Sequence, residues 1–124
     1  MYEIFVKHHF SSAHKLVDYE GECKKLHGHN WKVQVHARAK VLNEIGISFD
    51  FKEFKKIVRE EIDKFDHVYL NEHPVLKNIN PTAENMARIL FDILSEQINN
   101  NDLKIYMVEI WETENNGVRY FKDK

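Results

Sequence analysis

His27 and His29 flank Gly28 at the head of an alternating run, a spacing that suits a metal ion. On an extended segment the period-two geometry points both imidazoles to one face, with side-chain-free Gly28 leaving room between them. Two ligands need at least a third, and His14, in Ser11-Ser12-Ala13-His14, is placed for it if residues 5–13 form a neighbouring strand. Three histidines with one vacant position is the arrangement of a catalytic zinc, whereas structural zinc sites fill all four places, usually with several cysteines. Only Cys23 is present, so a structural site would lack its usual ligands. The plainer reading of a His-x-His pair is two ordinary strand histidines. His8, His9, His36 and His73 read as surface or packed residues. Cys23 stands four residues before His27 on a polar stretch, within reach of a substrate at the ion, and a nearby cation would favour its thiolate. As a bland alternative it is a buried, inert thiol.

Two acidic residues extend the constellation. Asp66 precedes His67, so a carboxylate can orient an imidazole that exchanges a proton with a substrate oxygen; equally, His67 is a helix C-terminal histidine facing the helix dipole. Glu112 shares the parity of Val108 and Ile110 and should point toward the core side at a strand end, where an unpaired carboxylate is costly. A ligand with two adjacent N–H donors, such as the amidine-like edge of a pterin or guanine, would satisfy both its oxygens. A salt bridge at a sheet edge would do the same. Glu109, on the other parity, reads as a solvated or interface charge.

The elements that must position these residues follow from periodicity. Tyr2, Ile4, Val6, His8 and Phe10 share one parity of an N-terminal strand that is apolar on much of both faces. Residues 18–25 read as a loop carrying Cys23. Trp31, Val33, Val35 and Ala37 then alternate with Lys32, Gln34, His36 and Arg38, so His27 and His29 share the apolar face. Residues 43–46 mark a turn and 47–49 a short extended piece. Asp50 caps a helix, with Glu53 completing a capping box and Phe49 against Phe54 as a staple. Phe51, Phe54, Val58, Ile62 and Phe65 form its apolar stripe, with Glu61 among the residues opposite. Asn80 and Pro81 suit the N-cap and first position of a second helix, with a stripe from Ala83 through Met86, Leu90 and Leu94 to Ile98. Strand periodicity returns from Leu103, and Asn115-Asn116-Gly117 turns it into a hairpin with residues 118–121. The order β-β-α-α-β-β predicts an α+β fold, a four-stranded antiparallel sheet with two helices on one face. Its open edges invite sheet continuation between copies, so a homo-oligomer is expected.

The chain of 124 residues is expected to be a single domain, 1–124. Its net charge of -2 gives no basic surface for nucleic acid or an anionic membrane, and no apolar run reaches the length of a membrane span. A charged, alternating N-terminus and a lone cysteine fit a cytoplasmic protein.

Five motifs together resemble the family of 6-pyruvoyl-tetrahydropterin and 6-carboxy-tetrahydropterin synthases across nearly the whole chain. They are Ser12-Ala13-His14, Cys23-x-x-x-His27-Gly28-His29-Asn30, Asp66-His67 with Leu70-Asn71, Pro81-Thr82-Ala83-Glu84-Asn85, and Glu112-Thr113. The resemblance implies the tunnelling fold (T-fold), in which three subunits join their sheets into a barrel and two such rings stack as a hexamer. It implies that His14, His27 and His29 hold Zn²⁺, that Cys23 is the catalytic thiolate, and that Asp66 with His67 completes the proton-transfer group. Glu112 would anchor a pterin substrate, and Thr82 and Glu84 would line its pocket from a neighbouring subunit. Ala83 departs from the hydroxyl residue common in the family, and Phe65 from its leucine. The three residues between Cys23 and His27 match the 6-carboxy branch of 7-deazaguanine (queuosine) synthesis, the pyruvoyl branch having a longer gap. A further branch has a glutamate just after the cysteine position, where Lys24 stands here. The implied reaction converts 7,8-dihydroneopterin triphosphate and water to 6-carboxy-5,6,7,8-tetrahydropterin, acetaldehyde and triphosphate. Its nearest rival is triphosphate elimination to the 6-pyruvoyl product, and a remoter one is a non-catalytic pterin-binding module.

Overall fold

A computed structural model describes residues 1–15 and 27–123, with the backbone alone at His27. The expected order is found: β1 (Tyr2–His14), β2 (His27–Ala39), α1 (Phe51–Ile62), α2 (Ala83–Ile98), β3 (Leu103–Trp111) and β4 (Gly117–Tyr120), with three short 3₁₀ turns between the helices. The four strands form one antiparallel sheet in the order β1-β2-β3-β4. Both helices cover one face of it. Val6, Phe10, Trp31, Val33, Val35, Val108 and Ile110 from the strands bury against Phe54, Val58, Met86, Leu90 and Leu94 from the helices in a single core.

Register explains which side chains reach that core. Phe10 pairs with Trp31 and Val6 with Val35, so the apolar parities of β1 and β2 coincide. Between β2 and β3 the pairing slips: His36 faces Met107, but Ala37 faces Ile105, leaving Tyr106 as an extra residue. A bulge of this kind resets the alternation. Ile105 and Val108 are therefore both buried, although their sequence parities differ.

Asp50 caps α1, its carboxylate accepting from the Lys52 N–H at 2.9 Å, and the Phe49 and Phe54 rings stack 5.3 Å apart as the expected staple. Four expectations need correcting. Residues 47–49 form no strand, because the Asn43 side chain accepts from the N–H groups of Ile45 and Ile47, which winds the segment into a compact turn. Phe51 is half exposed and does not extend the stripe of α1. Glu61 is buried, because it meets Gln97 of α2 at 2.6 Å and Lys64 at 3.1 Å. The cap of α2 is Thr82, two residues later than expected: its hydroxyl accepts from the Asn85 N–H at 3.1 Å, which leaves Pro81 just outside the helix. At the β3–β4 turn a Cβ on Gly117 would lie 2.6 Å from the Ile110 carbonyl oxygen, so glycine alone fits that approach.

Candidate active site

The paired ends of β1 and β2 bring the first candidate ligands together. His14 lies opposite His27 and Ser12 opposite His29 in the ladder, so His14 and His29 are diagonal neighbours on the core face. Their rings meet edge to face, 5.2 Å apart. Fully buried Trp31 forms the floor, with its ring 4.9 Å from His14 and 5.3 Å from His29. Continuing the β2–β3 register by one residue beyond Trp111 sets Glu112 across from Trp31. Its Oε1 lies 2.8 Å from His29 Nε2 and 3.5 Å from His14 Nε2. Donor atoms of His14, His29 and Glu112 all fall within 4.8 Å of one another.

The second nitrogen of His14 determines what the first can do. His14 Nδ1 donates to the Pro81 carbonyl oxygen at 2.8 Å. A carbonyl only accepts, so Nδ1 carries the proton and Nε2 presents its lone pair toward His29 and Glu112. Two imidazoles and a carboxylate, one imidazole fixed as this tautomer in a buried setting, are a donor set that fits a divalent zinc ion. A Cβ on Gly28 would meet no described atom within 4 Å, so crowding by the described residues does not require glycine there.

Asp66 and His67 are held along the outer edge of β1. Asp66 Oδ1 accepts from the Ser11 N–H at 2.8 Å, and the His67 N–H donates to the Ser11 carbonyl at 2.6 Å. The Ser12 hydroxyl donates to the Phe65 carbonyl and accepts from the Val68 N–H at 3.3 Å. This seam fixes the expected dyad, with Asp66 Oδ2 2.8 Å from His67 Nδ1. The Ser11 N–H and then His67 hold the Asp66 carboxyl below the usual carboxylate range. His67 has φ 54°, the left-handed region that is uncommon for a residue with a side chain, and its side chain is 81% exposed. The dyad thus stands at the outer edge of β1, while the His14–His29–Glu112 group stands on the strand's core face.

The remaining expected residues divide. Thr82 has its hydroxyl engaged as the α2 cap, and Glu84 is exposed in the first turn of that helix. Cys23 and the side chain of His27 lie outside the described residues. Glu109, expected to be a solvated or interface charge, is buried within the chain itself: it accepts from Arg119 Nε at 2.6 Å and from the Trp111 indole. Burial pushes its carboxyl up, but the Arg119 and Trp111 hydrogen bonds outweigh this and hold it below the usual range.

Two parts of the site were not foreseen as such. One is the Pro81 carbonyl, whose role no side-chain pattern reveals. The other is Asn71, whose amide oxygen accepts from the Lys15 N–H and whose amide nitrogen donates to the Lys15 carbonyl, both at 2.7 Å. That pair of bonds clamps the backbone next to His14. The Leu70-Asn71 motif was its only signal.

Comparison with known proteins gives a consistent picture. Residues 3–123 match the family described as 6-pyruvoyl tetrahydropterin synthase. The 6-pyruvoyl tetrahydrobiopterin synthase of Dictyostelium discoideum is 36% identical, over 90% of this chain and 89% of its own. The 6-carboxy-5,6,7,8-tetrahydropterin synthase of a Synechocystis strain is 31% identical, over 100% of this chain and 96% of its own. Among solved structures, the 6-pyruvoyl tetrahydropterin synthase of Caenorhabditis elegans superposes with a TM-score of 0.87 at 27% identity, covering 98% of this chain and 96% of the other.

Proposed function

The chain belongs to the 6-pyruvoyl tetrahydropterin synthase family, and from that premise we propose that it is a zinc-dependent 6-carboxy-5,6,7,8-tetrahydropterin synthase of 7-deazaguanine (queuosine) synthesis. It would convert 7,8-dihydroneopterin triphosphate and water to 6-carboxytetrahydropterin, acetaldehyde and triphosphate. The observation that carries the zinc-lyase reading is the convergence of His14, His29 and Glu112 on one point above Trp31. The carboxy product is supported by the three-residue gap from Cys23 to His27. Relatives named for both products are similar to this chain, so the product itself is the decisive measurement.

In this reading His14, His27 and His29 hold the ion. Zinc, when bound, supplies Lewis acidity that makes the substrate's side-chain hydroxyls easier to deprotonate. Cys23 removes and returns the proton at the carbon beside the pterin ring. His67, oriented by the Asp66 carboxylate, exchanges a hydroxyl proton, and Glu112 receives the paired N–H donors of the pterin. Thr82 and Glu84 line the pterin pocket of a neighbouring copy. The exposed position of His67 at the edge of β1 supports a site shared between copies, and a trimer-based hexamer in the cytoplasm is the assembly proposed. A second reading is favoured by one distance: Glu112, 2.8 Å from His29 Nε2, could serve as a metal ligand itself.

The test is elemental analysis of the purified protein together with product identification from dihydroneopterin triphosphate. Bound zinc with acetaldehyde and the 6-carboxy product is expected. Formation of the 6-pyruvoyl product without acetaldehyde would assign the chain to the rival branch, and absence of any turnover by zinc-loaded protein would leave pterin binding as its role.

A further inference from the structure

The carbonyl that fixes His14 is itself held from helix α2. Pro81 is buried and has no N–H of its own, so its neighbours must set the direction of its carbonyl. Upstream, the Asn80 carbonyl accepts twice, from the Thr82 N–H at 2.8 Å and from the Asn85 side-chain amide at 2.8 Å. With that carbonyl pinned and the proline ring locking φ, only the ψ angle of Pro81 remains to aim the next carbonyl. Downstream, Thr82 removes that freedom as the cap of α2: its carbonyl accepts from the Met86 N–H at 3.0 Å and its hydroxyl from the Asn85 N–H at 3.1 Å. Asn85 therefore grips both sides of Pro81, with its side chain on Asn80 and its backbone on Thr82.

The direction of the Pro81 carbonyl matters because two acceptors compete for one proton. A neutral imidazole carries its proton on either Nδ1 or Nε2. The Pro81 oxygen lies 2.8 Å from His14 Nδ1, and a Glu112 carboxylate oxygen lies 3.5 Å from His14 Nε2. Were the Pro81 carbonyl to turn away, the Nδ1–H would lose that acceptor in a buried setting, which is costly, and the proton would be better placed on Nε2, facing Glu112. That would occupy the lone pair with which His14 binds an ion.

We propose that Asn85 is a positioning residue of the metal centre: by holding the turn from Asn80 to Thr82 it aims the Pro81 carbonyl at His14 and keeps the Nε2 lone pair available to the ion. This rests on the reading of His14 as a metal ligand. Asn85 acts through Pro81 and not by contact with the ion.

Asn85→Leu tests this, because leucine keeps the size of the side chain, favours helix more than asparagine and lacks the amide donor. Asn85→Ala removes the same donor without adding apolar bulk and should behave alike. Nitrogen NMR of the His14 ring in zinc-free protein, above the pH range in which imidazoles titrate, should show the Nδ1-protonated form in the wild type and a mixture of the two tautomers in both variants. Chelator competition should show zinc affinity lowered by about ten- to a hundredfold, the range for loss of a partner behind a metal-ligating histidine. Asp92→Gly, which weakens α2 at an exposed position away from the turn, should alter neither. The proposal is overturned if His14 keeps its Nδ1 proton in the Asn85 variants, if the tautomers mix while zinc affinity stays the same, or if Asp92→Gly has the same effects. Wild-type protein that holds no zinc would remove the metal reading and this inference with it; wild-type zinc binding with unaltered Asn85 variants removes this inference alone.

Discussion

The two nitrogens of His14 have different partners: Nδ1 donates to the Pro81 carbonyl while Nε2 faces His29 and Glu112. Chemistry at this scale separates holding the ion from moving protons. Cys23→Ala should leave zinc content at the wild-type level while turnover falls by roughly 10²- to 10⁴-fold, the range for loss of a general acid–base group; elemental analysis beside a turnover assay checks it, and full activity would remove Cys23 from the mechanism. Glu112 admits two roles that one variant tells apart. If it anchors the pterin, Glu112→Gln keeps zinc and raises KM by about ten- to a hundredfold, because one oxygen acceptor becomes a donor facing donors. If it is a metal ligand, zinc affinity falls instead. The anchoring role is the expected one.

At the scale of elements, β3 and β4 are tied by the Glu109–Arg119 pair, and its pH dependence has a definite sign. The Glu109 carboxyl is held below its ordinary value in the folded protein, so its contribution to stability is complete above the unfolded carboxylate value and is lost as pH falls through the depressed one. Arg119→Met should destabilise the protein at neutral pH, because the buried Glu109 carboxylate loses its exposed guanidinium partner. Urea denaturation should show the gap between variant and wild type closing on acidification; a gap that persists at low pH would contradict the assignment. Why this pair escaped a reading of the sequence is instructive. Alternation along β2, the stripe of α2 and the turn at Gly117 are local patterns, and they carried the sheet, both helices and the grouping of His14 with His29. The Tyr106 bulge changes register between strands, and a cross-strand partner such as Arg119 for Glu109 is decided by that register rather than by parity. The α2 cap moved to Thr82 for a related reason: Pro81 is placed by its carbonyl contact with His14, a long-range tie invisible to a local start signal. Asn71 belongs here too. Asn71→Ala removes both bonds to the Lys15 backbone and should lower the midpoint for zinc retention against a chelator, with the sheet itself intact by circular dichroism.

The whole molecule raises the question of what covers its edges. Ser11 and Ala13 direct their backbone groups away from β2, where the chain around Asp66 to Tyr69 meets them: Ser11 N–H to Asp66, Ser11 carbonyl to the His67 N–H, Ala13 N–H to the Val68 carbonyl at 3.3 Å. Antiparallel pairing alternates, so Glu3, Phe5, Lys7 and His9 also turn their N–H and carbonyl groups outward, toward an edge on which half-exposed Phe5 lies. An edge of that length invites pairing with another copy. A proline there is discriminating because it deletes only an outward-facing N–H and leaves the ladder to β2 whole. If copies assemble in the proposed multiples of three, Lys7→Pro should therefore lower the mass measured by light scattering toward the single chain, while far-ultraviolet dichroism stays native-like. Zinc should still bind, since His14 and His29 lie on one chain. Turnover should fall with the mass if His67 serves the site of a neighbouring copy. An unchanged mass would show that copies do not join through β1, and a lowered mass with full turnover would confine the proton-transfer dyad to its own protomer.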